Sequence, residues 1–291
     1  MDEQLDAFLA YLQAEKNYSH NTLVAYRNDL SQLIQFLPQY PGAETWEDVD
    51  EMIVDAYVAT MKQGEYAASS VARKVAALKS FFHFMFDREV ITHDPTTNID
   101  SPKVKKRLPK TLTFDDVDRL LHAPRQQKKT PKNLRDTALL ALLYATGMRV
   151  TELVSLQIGD IYLSEGVLLC PGKDETKRSL PINEETQQML AAYLSAGRPH
   201  LVKDRSEKSL FLNHRGQQLT RQGLWLIIKT YARQAQLSAA VTPHTLRHSF
   251  AAHKLKNGSG LNEIQQLLGH ANISTTQIYT QLSSQGELVN G

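Results

Sequence analysis

The chain has 291 residues, enough for two domains, and its 42% apolar and 22% charged residues place it with ordinary folded chains and outside the disordered class. One cysteine, Cys170, excludes an intramolecular disulfide, and the longest apolar run, Ala138 to Ala145, is far too short to span a membrane. The net charge of +2 hides a division: residues 1–100 carry 7 Lys and Arg against 16 Asp and Glu (net −9), and residues 101–291 carry 26 against 15 (net +11). Such asymmetry points the second part toward a polyanion, or else records two domains with unlike surfaces.

The start, Met-Asp-Glu-Gln, lacks a basic and apolar leader pattern, so no signal peptide and a cytoplasmic, reducing location are expected. The first hundred residues read as helices. Leu5, Phe8, Leu9 and Leu12 share one helical stripe. Ser19 is a predicted N-cap, after which Leu23, Tyr26, Leu30, Leu33, Ile34 and Leu37 recur at helical spacing until Pro38 and Pro41-Gly42. A third helix is predicted from about Asp50 to Lys62, and a fourth from near Ala68 carries Val71, Val75, Leu78, Phe81, Phe82 and Met85. The basic residues Arg73, Lys74 and Lys79 lie on that fourth helix, and by themselves they fit an ordinary solvated face.

Residues 94–110 read as a basic linker with three prolines and the cations Lys103, Lys105, Lys106 and Arg107, which divides the chain into 1–93, 94–110 and 111–291. The third part is predicted to mix helices with a small antiparallel sheet. Thr113 opens a short helix, and Leu134 to Thr146 is an apolar helix ended by Gly147. Three short strands follow at Ile161–Leu163, Val167–Cys170 and Ser179–Ile182. Further helices are expected near Glu184–Ser195, Thr220–Gln236, Pro243–Asn257 and Leu261–Leu268, with a last one capped near Ser274.

Four short patterns carry chemistry-bearing residues. In Gly147-Met-Arg149-Val-Thr-Glu152-Leu, the arginine follows a helix-ending glycine and Glu152 lies on the same face three residues on. In Thr242-Pro-His244-Thr-Leu-Arg247-His248, His244 and Arg247 sit one turn apart at a helix N-terminus, where free N–H groups and the dipole favour an anion. His244 and His248 have zinc-ligand spacing, but no Glu lies between them and no Cys cluster completes a site, so His248 reads as a packed or capping residue and no metal is assigned. His270 follows Leu268-Gly269, and Tyr279 lies nine residues later; each alone reads as packing or surface.

In chain order these patterns gain meaning. Arg149 in a Gly-x-Arg-x-x-Glu-Leu context, His244-x-x-Arg247, Leu-Gly-His270 and Tyr279 resemble the tyrosine recombinase (lambda-integrase-like) family. The compact length and helical N-terminal part look most like its Xer-type members. The resemblance covers nearly the whole chain. It implies a helical core-DNA-binding domain and an α+β catalytic domain that together clamp duplex DNA, with the fourth helix and the basic linker against the DNA. It also implies a catalytic set of Arg149, Lys173, His244, Arg247, His270 and Tyr279, with Glu152 holding Arg149. Lys173 is assigned because the family uses a lysine in the turn between two strands, although Lys177 and Arg178 share that hairpin. No cofactor or metal is expected.

The partners implied are double-stranded DNA and three further copies in a tetramer on two sites, with a sister recombinase or a DNA translocase as further candidates. The implied setting is the nucleoid. Two other readings compete: a monomeric type IB topoisomerase with the same chemistry, and a non-catalytic DNA-binding module. After Tyr279, Xer-type relatives continue as a helix that packs into a neighbouring copy; here the residues from Gln281 to Gly291, with Gly286 and a weak apolar pattern, depart from that pattern and leave the strength of subunit exchange open.

Overall fold

The computed structural model describes residues 1–64, 66–102, 109–126, 128–172, 177–238, 241–269 and 275–279. The chain divides into two compact units, Met1–Lys106 and Arg107–Gly291.

In the first unit, α1 (Asp2–Ala14), α2 (His20–Phe36), α3 (Glu51–Gln63) and α4 (Ala68–Asp87) form a bundle. Each helix turns its apolar stripe inward; on α1 the buried residues are Leu5, Phe8, Leu9 and Leu12. Ser19 caps α2 by accepting from the Thr22 N–H, as its position predicts. Trp46, Phe81 and Phe82 pack edge to face, with Trp46 and Phe81 centroids 4.7 Å apart.

Two expectations are corrected here. The predicted linker does not begin at residue 94, because Ile91 and Ile99 are buried in the core of the first unit. Asp94 also folds the chain back on itself, its carboxylate accepting from the Thr96 N–H and hydroxyl. Lys74 is not on a solvated face. Its ammonium donates to Asp29 at 3.0 Å and Gln32 at 2.7 Å, and both charged side chains are under 5% exposed. Arg73 also pairs with Asp29 but keeps 44% of its side chain exposed.

The second unit opens with α5 (Phe114–His122), begun by the reciprocal cap of Thr113 and Asp116. Its central element is α6 (Pro131–Thr146), buried through the run 138–143. Each leucine in that run gains about 1.5–3 kcal/mol from burial. Gly147 ends α6 at φ +59°, and a Cβ there would run into the Phe250 ring, so the turn needs glycine twice over. After α7 (Val150–Ser155) come β1 (Ile161–Tyr162), β2 (Val167–Pro171) and β3 (Lys177–Pro181), an antiparallel sheet in chain order.

The register pairs Cys170 with Arg178 and Leu168 with Leu180. Side chains alternate, so Arg178 and Leu180 face inward while Lys177 faces out. α8 (Glu184–Ala192) is shorter than predicted. A π-type turn at 193–197 and α9 (Arg198–Leu201) replace its continuation, because the Tyr193 hydroxyl donates to Leu210 O while Arg198 donates to the carbonyls of Glu207 and Ser209. α10 (Arg221–Gln234), α11 (Pro243–Lys256) and α12 (Leu261–Leu268) complete the named helices, and residues 275–279 are helical. Among the described residues, no helix is long and apolar enough to cross a membrane.

Candidate active site

The site is built at the end of α12. Gly269 closes that helix at φ +62°, leaving its last carbonyls without helical partners. Three consecutive carbonyls each receive a different arginine. Arg178 Nε donates to Leu267 O at 3.1 Å, an Arg247 Nη to Leu268 O at 2.7 Å, and an Arg149 Nη to Gly269 O at 2.7 Å. The helix C-terminus is the negative end of its dipole, so it suits three cations. A Cβ on Gly269 would sit 3.1 Å from an Arg178 Nη and 3.4 Å from an Arg149 Nη, so glycine also makes room for the two guanidiniums.

Arg149 stands at the N-terminus of α7, directly after the turn at Gly147. Its backbone N–H donates to Glu152 Oε2 at 2.6 Å and its side chain to Oε1 at 3.0 Å. Arg149 remains 44% exposed. Arg247, on the first turns of α11, is buried and also donates to Gly147 O at 2.6 Å. Burial and then repulsion from Arg149 pull its guanidinium down to about 10, so it stays charged at neutral pH. Each guanidinium still has N–H groups beyond these bonds, and together they form a cationic pair suited to the two free oxygens of a phosphodiester.

Arg178 is the member of the site that the sequence left unassigned. It clasps Glu152 with two bonds of 2.9 Å, and its side chain is 20% exposed against 10% for Glu152. Burial pushes the Glu152 carboxyl up, but the bonds from Arg178 and the Arg149 N–H outweigh it and hold the group below the ordinary carboxylate range. The period-two pattern was a usable signal, since Arg178 shares a face with Leu180. Lys177, the competing lysine, donates to Asp160 at 2.9 Å on the outer face.

Tyr279 is 1% exposed, its ring packed with Phe250, Ile264 and Leu268. Its hydroxyl lies 2.8 Å from His248 Nδ1. Burial raises the phenol above its usual value, against a smaller lowering by Arg247. His244 is exposed on the first turn of α11; among the described residues the side chain within hydrogen-bond distance of the phenol is His248, which the sequence placed among packing residues. Lys173, His270, Lys103, Lys105, Lys106 and Arg107 lie outside the described residues. In the first unit, Lys79 is half-buried beside an open cleft lined by Tyr11, His83 and Arg88.

The Phage integrase family model matches residues 110–285, and the N-terminal SAM-like domain of phage integrases matches residues 5–89. The chain belongs to the phage integrase family. It is 47% identical to the tyrosine recombinase XerC of Herpetosiphon aurantiacus, over 98% of this chain and 92% of that one. It is 41% identical to the tyrosine recombinase XerD of Halalkalibacterium halodurans, over 97% and 95% of the two chains. Among solved structures, XerH site-specific recombinase bound to difH substrate superposes with a TM-score of 0.74 at 21% identity, covering 96% of this chain and 80% of that one. The chain is thus a tyrosine recombinase of the Xer type, an enzyme, with the mainly helical two-part fold that its sequence predicts.

Proposed function

We propose that this recombinase cuts and rejoins duplex DNA through a 3′-phosphotyrosyl link to Tyr279, and that it resolves chromosome dimers. One observation carries the assignment of the site: Arg149 and Arg247, far apart in sequence, meet on the adjacent carbonyls of Gly269 and Leu268, with Tyr279 packed on the helix that carries Arg247. Tyr279 Oη attacks the phosphorus and the 5′-oxygen leaves. Arg149 and Arg247 take the non-bridging oxygens, whose charge grows in the pentacoordinate transition state. In this reading His270 adds a hydrogen bond, Lys173 protonates the 5′-oxygen, and His244 assists proton movement. The 5′-hydroxyl of a partner strand then attacks the phosphotyrosine and reseals the backbone. Each phosphodiester lost is replaced by another ester, so no ATP is needed, and Arg149 and Arg247 take the charge-stabilising role that a metal ion plays in other phosphoryl transfers.

The duplex would be gripped by both units, with Arg73 and Lys79 on α4 and the basic segment 103–107 against its phosphates; Lys74 is better placed to hold α4 than to touch DNA. Four copies on two sites would exchange strands, with a sister recombinase and a translocase as candidate partners on the nucleoid. The high identity to proteins named XerC and XerD favours this role over mobile-element integration. A nicked duplex that traps the intermediate tests the core of the reading. Wild type should form a covalent adduct and Tyr279→Phe should bind without one. An adduct in the variant would overturn the assignment.

A further inference from the structure

We propose that His248 is a catalytic residue that accepts the proton of the Tyr279 phenol as the nucleophile attacks. It rests on Tyr279 being the nucleophile. Three observations converge on it. His248 Nδ1 lies 2.8 Å from the Tyr279 hydroxyl, within the reach of direct proton transfer. The two rings are packed together, with centroids 5.6 Å apart, so the contact is fixed by both elements. His248 also belongs to the same helix as Arg247, so one rigid element would place a phosphate ligand and a proton acceptor side by side.

The surroundings keep the imidazole in the form that can accept. The titratable and charged groups that face it, among the described residues, are His244 and Arg247 from its own helix and Tyr279 from the segment 275–279. Burial, then His244 and Arg247, lower its proton affinity below the ordinary histidine value, which favours neutral imidazole at pH 7. Meanwhile burial makes the phenol harder to ionise by itself. A nucleophile in that position needs a base, and His248 is the base in contact with it. The neutral ring must carry its proton on Nε2 and present the Nδ1 lone pair to the phenol.

The proton balance closes. As the Oη–P bond forms, the phenol proton passes to His248 Nδ1, and the P–O5′ bond breaks with the 5′-oxygen taking its proton from the leaving-group acid. In resealing, the incoming 5′-hydroxyl gives its proton back to the deprotonated leaving-group residue as its oxygen bonds to phosphorus and displaces Tyr279, and His248 returns its proton to the phenolate.

The test is single-turnover cleavage of the nicked duplex by the full chain from pH 5.5 to 9. It compares wild type, His248→Phe, His248→Gln and Tyr279→Phe, with DNA binding and thermal melting of each. Wild type should show a rate that rises through the histidine range and then levels. His248→Phe and His248→Gln should form adduct about 10²–10⁴-fold more slowly at pH 7, the range of a lost general base. Their rates should climb about tenfold per pH unit toward the phenol range, as hydroxide takes over the deprotonation. The glutamine variant preserves size and hydrogen bonding if phenylalanine disturbs folding. Wild-type rates in both variants would overturn the proposal. A loss with an unchanged pH profile would overturn it in favour of a packing role, and faster cleavage would overturn it in favour of a contact that stores the tyrosine. An adduct in Tyr279→Phe would instead sink the reading of Tyr279 itself.

Discussion

Glu152 is a buried carboxylate that holds a charge only because Arg178 and Arg149 surround it. Removing Arg178 leaves that charge half-compensated, so Arg178→Ala should lose about 3 kcal/mol of stability at pH 7. The sign of the pH dependence follows. A carboxyl depressed in the folded state contributes stability above its unfolded value, near 4.5, and loses it as the pH falls through the folded value. Wild type should therefore weaken in urea between neutral and acid pH, while Arg178→Ala, already without that contribution, should weaken less. Parallel loss in both proteins would show that Glu152 is not the group concerned. The leaving-group acid is tested separately. Lys173→Ala should cleave ordinary DNA very slowly and regain its rate on a substrate whose leaving 5′-oxygen is sulfur, since a thiolate departs unprotonated. Arg149→Ala should gain nothing from that sulfur. Rescue of Lys177→Ala in place of Lys173→Ala would move the role within the hairpin.

At the scale of elements, α4 divides its cations by depth. Lys74 lies three residues after Val71 and four before Leu78, on the apolar stripe itself, so the sequence did contain the signal for its burial. What the sequence lacked was its partner, since Asp29 lies on another helix. Lys74→Ala should lower stability by on the order of 2–3 kcal/mol, with Arg73 still covering part of Asp29. Lys79→Ala should leave melting unchanged and reduce the salt dependence of DNA binding by about one counterion. Equal melting points for the two variants would refute this division. Most helices were legible because their stripes and caps are local: Ser19, Thr113 and Thr242 all cap as their positions predict. The π-type turn at 193–197 was not, because contacts of Tyr193 and Arg198 with residues 207–210 set it. The site follows the same rule. Arg149, Arg247 and Tyr279 were picked out by the resemblance that their motifs carry in chain order, whereas Arg178 and His248 take their meaning from contacts made across the fold.

For the whole molecule, the charge division between residues 1–100 and 101–291 predicts that DNA affinity of the full chain falls steeply with salt. Cleavage should also persist in excess EDTA, because in the proposed reaction Arg149 and Arg247, which meet on adjacent carbonyls, take the phosphate charge. Activity lost to chelator and restored by a divalent ion, with DNA binding unchanged, would refute this. The end of α12 carries a different kind of consequence. Leu267, Leu268 and Gly269 offer main-chain oxygens, and these set the spacing of three guanidiniums. Exchanging the side chain of Leu267 leaves its carbonyl where it was, so the arrangement tolerates such drift. Adding or deleting one residue within 261–268 would turn every carbonyl about 100° around the helix axis and scatter all three arginines together. Length, more than composition, is the heritable constraint on that helix.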